Sequence, residues 1–286
     1  MSAERWLFWH RRDLRLADNL GLATAVAATP AVTGVFVLDP GILGAADMAP
    51  ARVWFLLESL RELQQRWREA GSRLLVLQGE PERVLPPLAE ALAAPVVTWN
   101  RDVEPYGRAR DRRVAAALQA AGRKVLVDWD QLLVAPEALK TGGGDPYRVY
   151  GPFLRNWRGQ VERKAAAGSA LRGGVEPVAA PAGLVDLDPG AWPEPRAALW
   201  AQLPFCDTLP TLESLGHSFE GADCCPCRPG ESAALAQLLA FCDGGGGLSS
   251  RIPLFGYEPG RNMPGEAGTS GLSAALKFGT LSPRQA

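Results

Sequence analysis

"ARVWFLLESLRELQQRWREAGSRLLVLQG", residues 51–79, changes its period once, and that change decides the fold. Over 51–70 the apolar residues Val53, Leu56, Leu57, Leu60, Leu63 and Trp67 recur at three- and four-residue spacings, while Arg61, Glu62, Gln65 and Arg68 take the other side. This is the pattern of an amphipathic helix with one buried stripe. Gly71 follows, where a left-handed residue can end a helix at little cost. "RLLVLQG" (73–79) is then apolar almost without a break. A strand covered on both faces needs such a run, and strands of that kind build parallel sheets.

Moving outward, the strand pattern recurs at "WLFWH" (6–10), "AVTGVFVL" (31–38), "PVVTWN" (95–100) and "KVLVDW" (124–129). Helical spacing fills the gaps at about 81–93, opening on Pro81 and Glu82 and carrying Val84, Leu85, Leu88 and Leu92, and at about 106–121, ending at Gly122. Strand and helix alternating in this way predict a Rossmann-like α/β domain over 1–133, with a five-stranded parallel sheet and right-handed crossovers.

The alternation stops near 134. Gly, Pro and Ala dominate "KTGGGDPYRVYGPF" and "AAAGSALRGGVEPVAAPAGLVDLDPG", so 134–199 reads as an irregular connector with a helical piece at 153–165. A mainly helical region is expected over 200–286. Its helix 230–243 carries Ala234, Leu235, Leu238, Leu239 and Phe241 on the apolar side, "GGGG" (244–247) interrupts, and helical propensity returns at 272–279. A region of roughly 85 residues with one or two good helices has little core of its own. It reads as unfinished, with Leu276 and Phe278 expected to face water.

The totals exclude several classes. Net charge is −1 and 47% of residues are hydrophobic, so no global basic signal marks a nucleic-acid binder, although a local patch is not excluded. The N-terminus becomes charged within ten residues, unlike a signal peptide, and no window approaches the ~18 apolar residues of a membrane span. A cytoplasmic location follows by default. Cys206, Cys224, Cys225, Cys227 and Cys242 all lie in the last third, which argues against a secreted disulfide framework. "CCPC" (224–227) has only His217 near it and lacks the two separated ligand pairs usual for structural zinc, so no metal is expected.

Chemistry concentrates at "GTSGLS" (268–273). Thr269, Ser270 and Ser273 bring hydroxyl donors, and Gly268 and Gly271 let the backbone come close. Ahead of the apolar "LSAALKF", this suits either a phosphate clasp at a helix start or an ordinary capped helix.

Several stretches together resemble one family. "LFWHRRDLRLADN" (7–19), "YGPFLRNW" (150–157) and "RNMPGEAGTSGLSAALKFGTLSPRQA" (261–286) resemble, in order, segments of the DNA photolyase/cryptochrome family. "DMAPARV" (47–53), "WNRDVEPYGRARD" (99–111) and "WDQLL" (129–133) look closest to its cyanobacterial-type class I members, which use a deazaflavin antenna. The resemblance implies that 200–286 opens an all-helical FAD-binding domain. It also implies that this chain is an N-terminal part, inactive alone, with its catalytic residues beyond 286.

Carried over by motif, the resemblance implies FAD contacts at Tyr257, Thr269, Ser270, Gly271, Leu272 and Ser273, and a DNA-phosphate contact at Arg261. For the antenna it points to Phe36, Arg52, Asp102, Glu104 and Lys277, near the strand C-termini where open α/β sheets bind ligands. The antenna is expected to be 8-hydroxy-5-deazaflavin, with methenyltetrahydrofolate as the alternative. Charges in "HRRDLR" (10–15) are expected to be structural, with Asp13 pairing to Arg11, Arg12 or Arg15. The glycine-rich "DGGGGLSSRIPLFG" (243–256) departs from the family pattern just ahead of Tyr257. The implied activity is light-driven repair of cyclobutane pyrimidine dimers by electron transfer from reduced FAD, on UV-damaged DNA, by a monomer. The alternatives are a cryptochrome-like blue-light receptor and a stand-alone antenna module made of residues 1–133.

Overall fold

The computed structural model describes residues 4–170, 173–243, 254–263 and 268–286. Five strands carry the first part of the chain: β1 (Trp6–His10), β2 (Val32–Leu38), β3 (Leu74–Gln78), β4 (Val96–Asn100) and β5 (Lys124–Asp128). They form one parallel sheet in the order β3-β2-β1-β4-β5. The helices between them are α1 (Leu20–Ala28), α2 (Pro40–Leu43), α3 (Pro50–Glu69), α4 (Pro81–Ala91) and α5 (Pro105–Ala120). All five expected strands are present; α1 and α2 were not foreseen. Asn19 starts α1 by accepting a hydrogen bond from the Leu22 N–H.

Successive strand residues point to opposite faces. Leu7, Trp9, Val35, Val37, Leu77 and Trp99 meet Leu85 and Leu88 of α4 and Val114 and Leu118 of α5. Phe8, Val32, Phe36, Leu38 and Val76 meet Leu22 of α1 and Leu60, Leu63 and Trp67 of α3. Both faces are therefore covered, as the unbroken apolar runs required. Gly34 lies against Trp67 so closely that a Cβ there would sit 2.6 Å from the indole.

The remaining helices are α6 (Tyr150–Ala166), α7 (Arg196–Ala201), α8 (Glu231–Asp243), α9 (Tyr257–Gly260) and α10 (Ser273–Phe278). The connector is more ordered around the sheet than its composition suggests. Arg73 grips Asp186, and the Leu184 N–H donates to the Ala70 carbonyl at 2.8 Å. The Gln78 N–H donates to Pro204 O at 3.0 Å, and the Cys206 N–H to Val76 O at 2.8 Å. Residues 204–206 thus run antiparallel beside β3 and cover that edge of the sheet.

The helical part does not stand apart. Ala234 and Leu238 of α8, Leu272, Ala275 of α10 and Leu281 pack on Phe55 of α3. The Phe278 ring stacks on Phe55 at 5.0 Å, so it does not face water as expected. The missing partner was a helix of the first domain. Leu276 is 43% exposed, as expected. Leu235 and Leu239, expected on the buried side of α8, are exposed, because only one side of α8 is covered. Residues 244–253, most of the glycine-rich departure, lie outside the described residues. Among the described residues no helix is long and apolar enough to cross a membrane, and no group of three or more His, Cys, Asp or Glu converges as metal ligands.

Candidate functional site

The strand order reverses between β1 and β4, and open α/β sheets commonly bind ligands at that crevice. Here the chain fills it with its own side chains. The Asn100 amide donates to Asp13 Oδ2 at 2.6 Å and to Asn19 Oδ1 at 2.8 Å, while its oxygen accepts from the Gly21 N–H at 3.0 Å. Burial alone would raise the Asp13 carboxyl, but the hydrogen bond from His10, the Arg11 charge and the Arg11 N–H hold it well below the usual range. Trp67 Nε1–H donates to His10 Nε2 at 3.0 Å, so the ring's proton sits on Nδ1, facing the Asp13 carbonyl oxygen at 2.9 Å.

The arginines of 11–15 are structural, as expected, but they pair with acids other than Asp13. Arg11 meets Asp111 at 2.7 Å and Arg15 meets Asp130 at 2.5 Å. The Asp13 carboxylate instead accepts from the Arg11 N–H and from the Asn19 and Asn100 amides.

Beside the filled crevice lies a charged cluster on the loop after β4. Arg12 Nη1 stands 2.9 Å from Glu104 Oε1 and 3.3 Å from Asp102 Oδ1. Its Nε donates to the Lys277 carbonyl oxygen at 3.1 Å, and the Lys277 ammonium pairs with Glu104. Those two cations, Lys277 foremost, hold the Glu104 carboxyl low against the opposing effect of burial. Asp102 is buried and accepts from the Glu104 N–H at 3.0 Å. Asp102, Glu104 and Lys277 are thus brought together, with Arg12 as the hub. Phe36 is buried among the α3-side apolar residues, and Arg52 is exposed at the start of α3; neither makes a described contact with this cluster.

Nearby, Tyr106 Oη donates to Asp39 Oδ2 at 2.9 Å, joining the start of α5 to the end of β2. Burial, then the Asp39 carboxylate, push the phenol up to about 12. Sequence reasoning named Arg12 only as a structural partner for Asp13 and passed over Asp39 and Tyr106. The signal lay in "WNRDVEPYGRARD", whose mixed charges beside a strand end call for partners.

A second polar group joins the chain's two parts. Arg284 Nε is 2.9 Å from Asp18 Oδ2, and its Nη2 is 2.7 Å from Asp130 Oδ1. Arg15 bonds Asp130 from the other side and donates to Gly279 O at 3.1 Å, and the Ser282 hydroxyl donates to Asp18. All four charged side chains are at most 3% exposed. Two arginines against two aspartates leave the group neutral, which burial demands. Gly279 is left-handed (φ +68°) and passes so close to Arg12 that a Cβ would sit 2.0 Å from its carbonyl oxygen. Glu231 adds a further tie, accepting from the Leu16 and Ala17 N–H groups at 2.9 Å each.

The segment 268–273 leads into α10. Thr269 and Ser273 are exposed, Ser270 is half-buried, Gly271 has φ +66° and Leu272 is buried. Gln237 of α8 holds the segment by donating to the Ser270 carbonyl at 2.6 Å. Tyr257 is partly exposed, with its ring edge-on to Phe241 at 6.1 Å and the Arg261 guanidinium 5.8 Å from its centre. Residues 264–267, between Arg261 and the hydroxyl segment, lie outside the described residues.

A doubly wound parallel sheet with a helical part packed against α3 and the loop after β1 defines an α/β protein with an added helical part. The family profile for DNA photolyase matches residues 6–172, and the chain belongs to that family. It is 50% identical over 280 residues to a deoxyribodipyrimidine photo-lyase from a Synechococcus strain, covering 98% of this chain and 52% of that one. A 31.6 kDa uncharacterized protein from another Synechococcus strain is 43% identical, with 99% and 88% covered. The crystal structure of a class III photolyase from Agrobacterium tumefaciens matches with a TM-score of 0.75 at 33% identity, covering 100% of this chain and 52% of that one. The chain spans about half the length of the curated photolyases it matches.

Proposed function

We propose that this chain supplies the antenna domain and the opening of the flavin-binding helical part of a photolyase that reverses UV-induced cyclobutane pyrimidine dimers in DNA. The observation that carries this is the 50% identity to a deoxyribodipyrimidine photo-lyase over 98% of the chain. On this reading residues 1–133 form the antenna domain, 134–199 the connector and 200–286 the start of the helical domain. The protein works as a cytoplasmic monomer on UV-damaged DNA.

The residues fit both cofactors chemically. Thr269, Ser270 and Ser273 offer hydroxyls, the first turn of α10 offers main-chain N–H groups, and no carboxylate lies within the segment, which suits the diphosphate of FAD. Gly271 and Leu272 would shape that contact, with Tyr257 against the flavin and Arg261 on a DNA phosphate. Reduced FAD, when bound, supplies the electron that splits the dimer, while the protein positions it and excludes water. At the other cluster, the Asp102 carboxylate would accept hydrogen bonds from a ring system. Glu104, Arg52 and Lys277 would set the charge around it, and Phe36 would back it. 8-Hydroxy-5-deazaflavin is preferred to methenyltetrahydrofolate on the motifs at 47–53, 99–111 and 129–133.

Titration with 8-hydroxy-5-deazaflavin, followed by its visible absorbance, tests the antenna assignment. Asp102→Asn and Lys277→Gln should each weaken binding about tenfold, the usual worth of a charge-assisted hydrogen bond. Equal binding by both variants and the parent chain would sink the assignment. Under illumination the 286-residue chain alone is expected to leave dimers intact. Measurable dimer loss would place the catalytic residues within this sequence.

A further inference from the structure

Asp39 follows β2 and Tyr106 lies at the start of α5, and the hydrogen bond between them crosses a gap. β2 and β4 are not neighbours in the sheet. β1 lies between them, so their ends stand about 10 Å apart, two strand spacings. The bond therefore passes over the C-terminal end of β1. Most of the antenna candidates come from the two strand ends and loops that it joins: Phe36 lies just before Asp39, Arg52 lies at the far end of the same loop, and Asp102 and Glu104 precede Tyr106. Among the described residues no other hydrogen bond or ion pair joins 39–52 to 101–110.

The two sides of the gap differ in stiffness. On the α5 side, Gly107 presses on Asp102 so closely that a Cβ would sit 2.3 Å from Oδ2, and Arg110 Nη2 stands 3.8 Å from the same oxygen. On the other side none of residues 40–52 is buried, and Leu43 is only half-buried where it rests on the α3-side core. A segment with so few buried contacts lies at the low-stability end of a fold and opens locally. Asp39 is buried and also accepts from the Gly41 N–H at 2.9 Å, whereas Tyr106 is 43% exposed. The bond thus sits at the surface, where the phenol meets water when it lets go.

We propose that Tyr106 is a gate: its hydroxyl, on Asp39, fastens the 39–52 loop across a ring seated at Asp102, and the ring enters and leaves when that bond parts. This rests on the antenna reading, with 8-hydroxy-5-deazaflavin as the ligand. The role is one of positioning. A bond made equally in the free and the loaded chain cancels from the affinity, but it enters both rates, because entry and exit each have to break it.

Stopped-flow absorbance of 8-hydroxy-5-deazaflavin with the 286-residue chain gives both rate constants from the concentration dependence of the observed rate. Tyr106→Phe keeps the ring and removes the hydroxyl. Association and dissociation should both quicken about tenfold, the low end for a hydrogen bond to a charged group, with the Kd moved by less than about twofold. Asp102→Asn should instead weaken affinity through faster dissociation alone. Tyr150→Phe, which removes an exposed phenol from α6, should match the parent. Unchanged rates in Tyr106→Phe overturn the gate. So does a loss of affinity carried by dissociation alone, which would make the hydroxyl an ordinary support of the site. Amide hydrogen exchange without chromophore separates the gate from the antenna reading. The Gly41, Ile42 and Leu43 N–H groups all bond to Asp39, and their exchange should quicken in Tyr106→Phe while that of β3 stays as in the parent. If the parent binds the chromophore and this exchange does not change, the gate alone fails. If the exchange quickens but the parent does not bind, the antenna reading fails and the gate falls with it.

Discussion

Arg284 and Asp130 are 154 residues apart in the chain and 2.7 Å apart in the structure, both out of contact with water. With Asp18 and Arg15 they make a closed, neutral set of buried charges that spans the two parts of the chain. Removing one member leaves the others charged, buried and unbalanced. Arg284→Met is therefore expected to cost about 3–5 kcal/mol, the loss seen when one partner of a buried pair is taken away. Urea denaturation would show it as a lower midpoint at unchanged slope. A loss under about 1 kcal/mol would mean that water reaches the cluster, since pairs in water are worth no more than that.

The same cluster bears on whether residues 1–133 can stand alone. A chain ending there would keep Asp18 and Asp130 but lose Arg284 and Ser282. It would also lose Leu184, Leu187 and Leu203, which pack on the two faces of the sheet, and the segment covering β3. Such a chain is expected to unfold without a sharp transition and to aggregate through its bared sheet edge. A cooperative thermal transition in the 1–133 fragment would restore the stand-alone antenna module as a reading.

Gly34 tests the packing of α3 on the sheet. An added methyl would meet the Trp67 ring at 2.6 Å, and that ring is locked by its bond to His10. Overpacking of this kind costs typically ~1–3 kcal/mol. Gly34→Ala should lower the melting temperature, and Gly34→Ala/Trp67→Phe, which vacates part of the ring's volume, should recover part of the loss. A double variant no better than the sum of its singles would show that the clash is relieved elsewhere.

Tyr106 offers a pH readout. Its folded value, about 12, lies above the ordinary phenol value of 10.0. The neutral form is favoured in the folded state, so the stability it contributes is fully present below about pH 10, the unfolded value, and is lost as pH rises toward 12. Absorbance near 295 nm should show one of the four tyrosines ionising late, and Asp39→Asn should move that step down. If Tyr106→Phe leaves the late step in place, another tyrosine is responsible.

The sheet and its main helices were legible because burial on both faces leaves an unbroken apolar run, which few other contexts demand. Helix α1 was missed because "LGLATAVAA" is apolar nearly all round and carries no amphipathic stripe; only Asn19 marks its start. The pairing of Phe278 with Phe55 was hidden for another reason. An apolar residue states that it needs cover, not which helix, 223 positions away, provides it. Asp102, Glu104 and Lys277 could be named one by one from motif, but their meeting around Arg12 depends on the left-handed turn at Gly279, which brings the end of α10 against the first loop.

Helix α10 is only six residues long, yet it carries an element of each proposed cofactor contact. Ser273 opens it and Lys277 stands one turn later, about 6 Å further along the axis. Both ends are fastened, to Gln237 through Ser270 and to Arg12 through the Lys277 carbonyl. On the proposed assignments, one turn of helix is then a ruler between the chromophore that gathers light and the chromophore that spends it. Excitation passes between pigments at a rate set by their separation and relative tilt, and a spacer held at both ends would fix both.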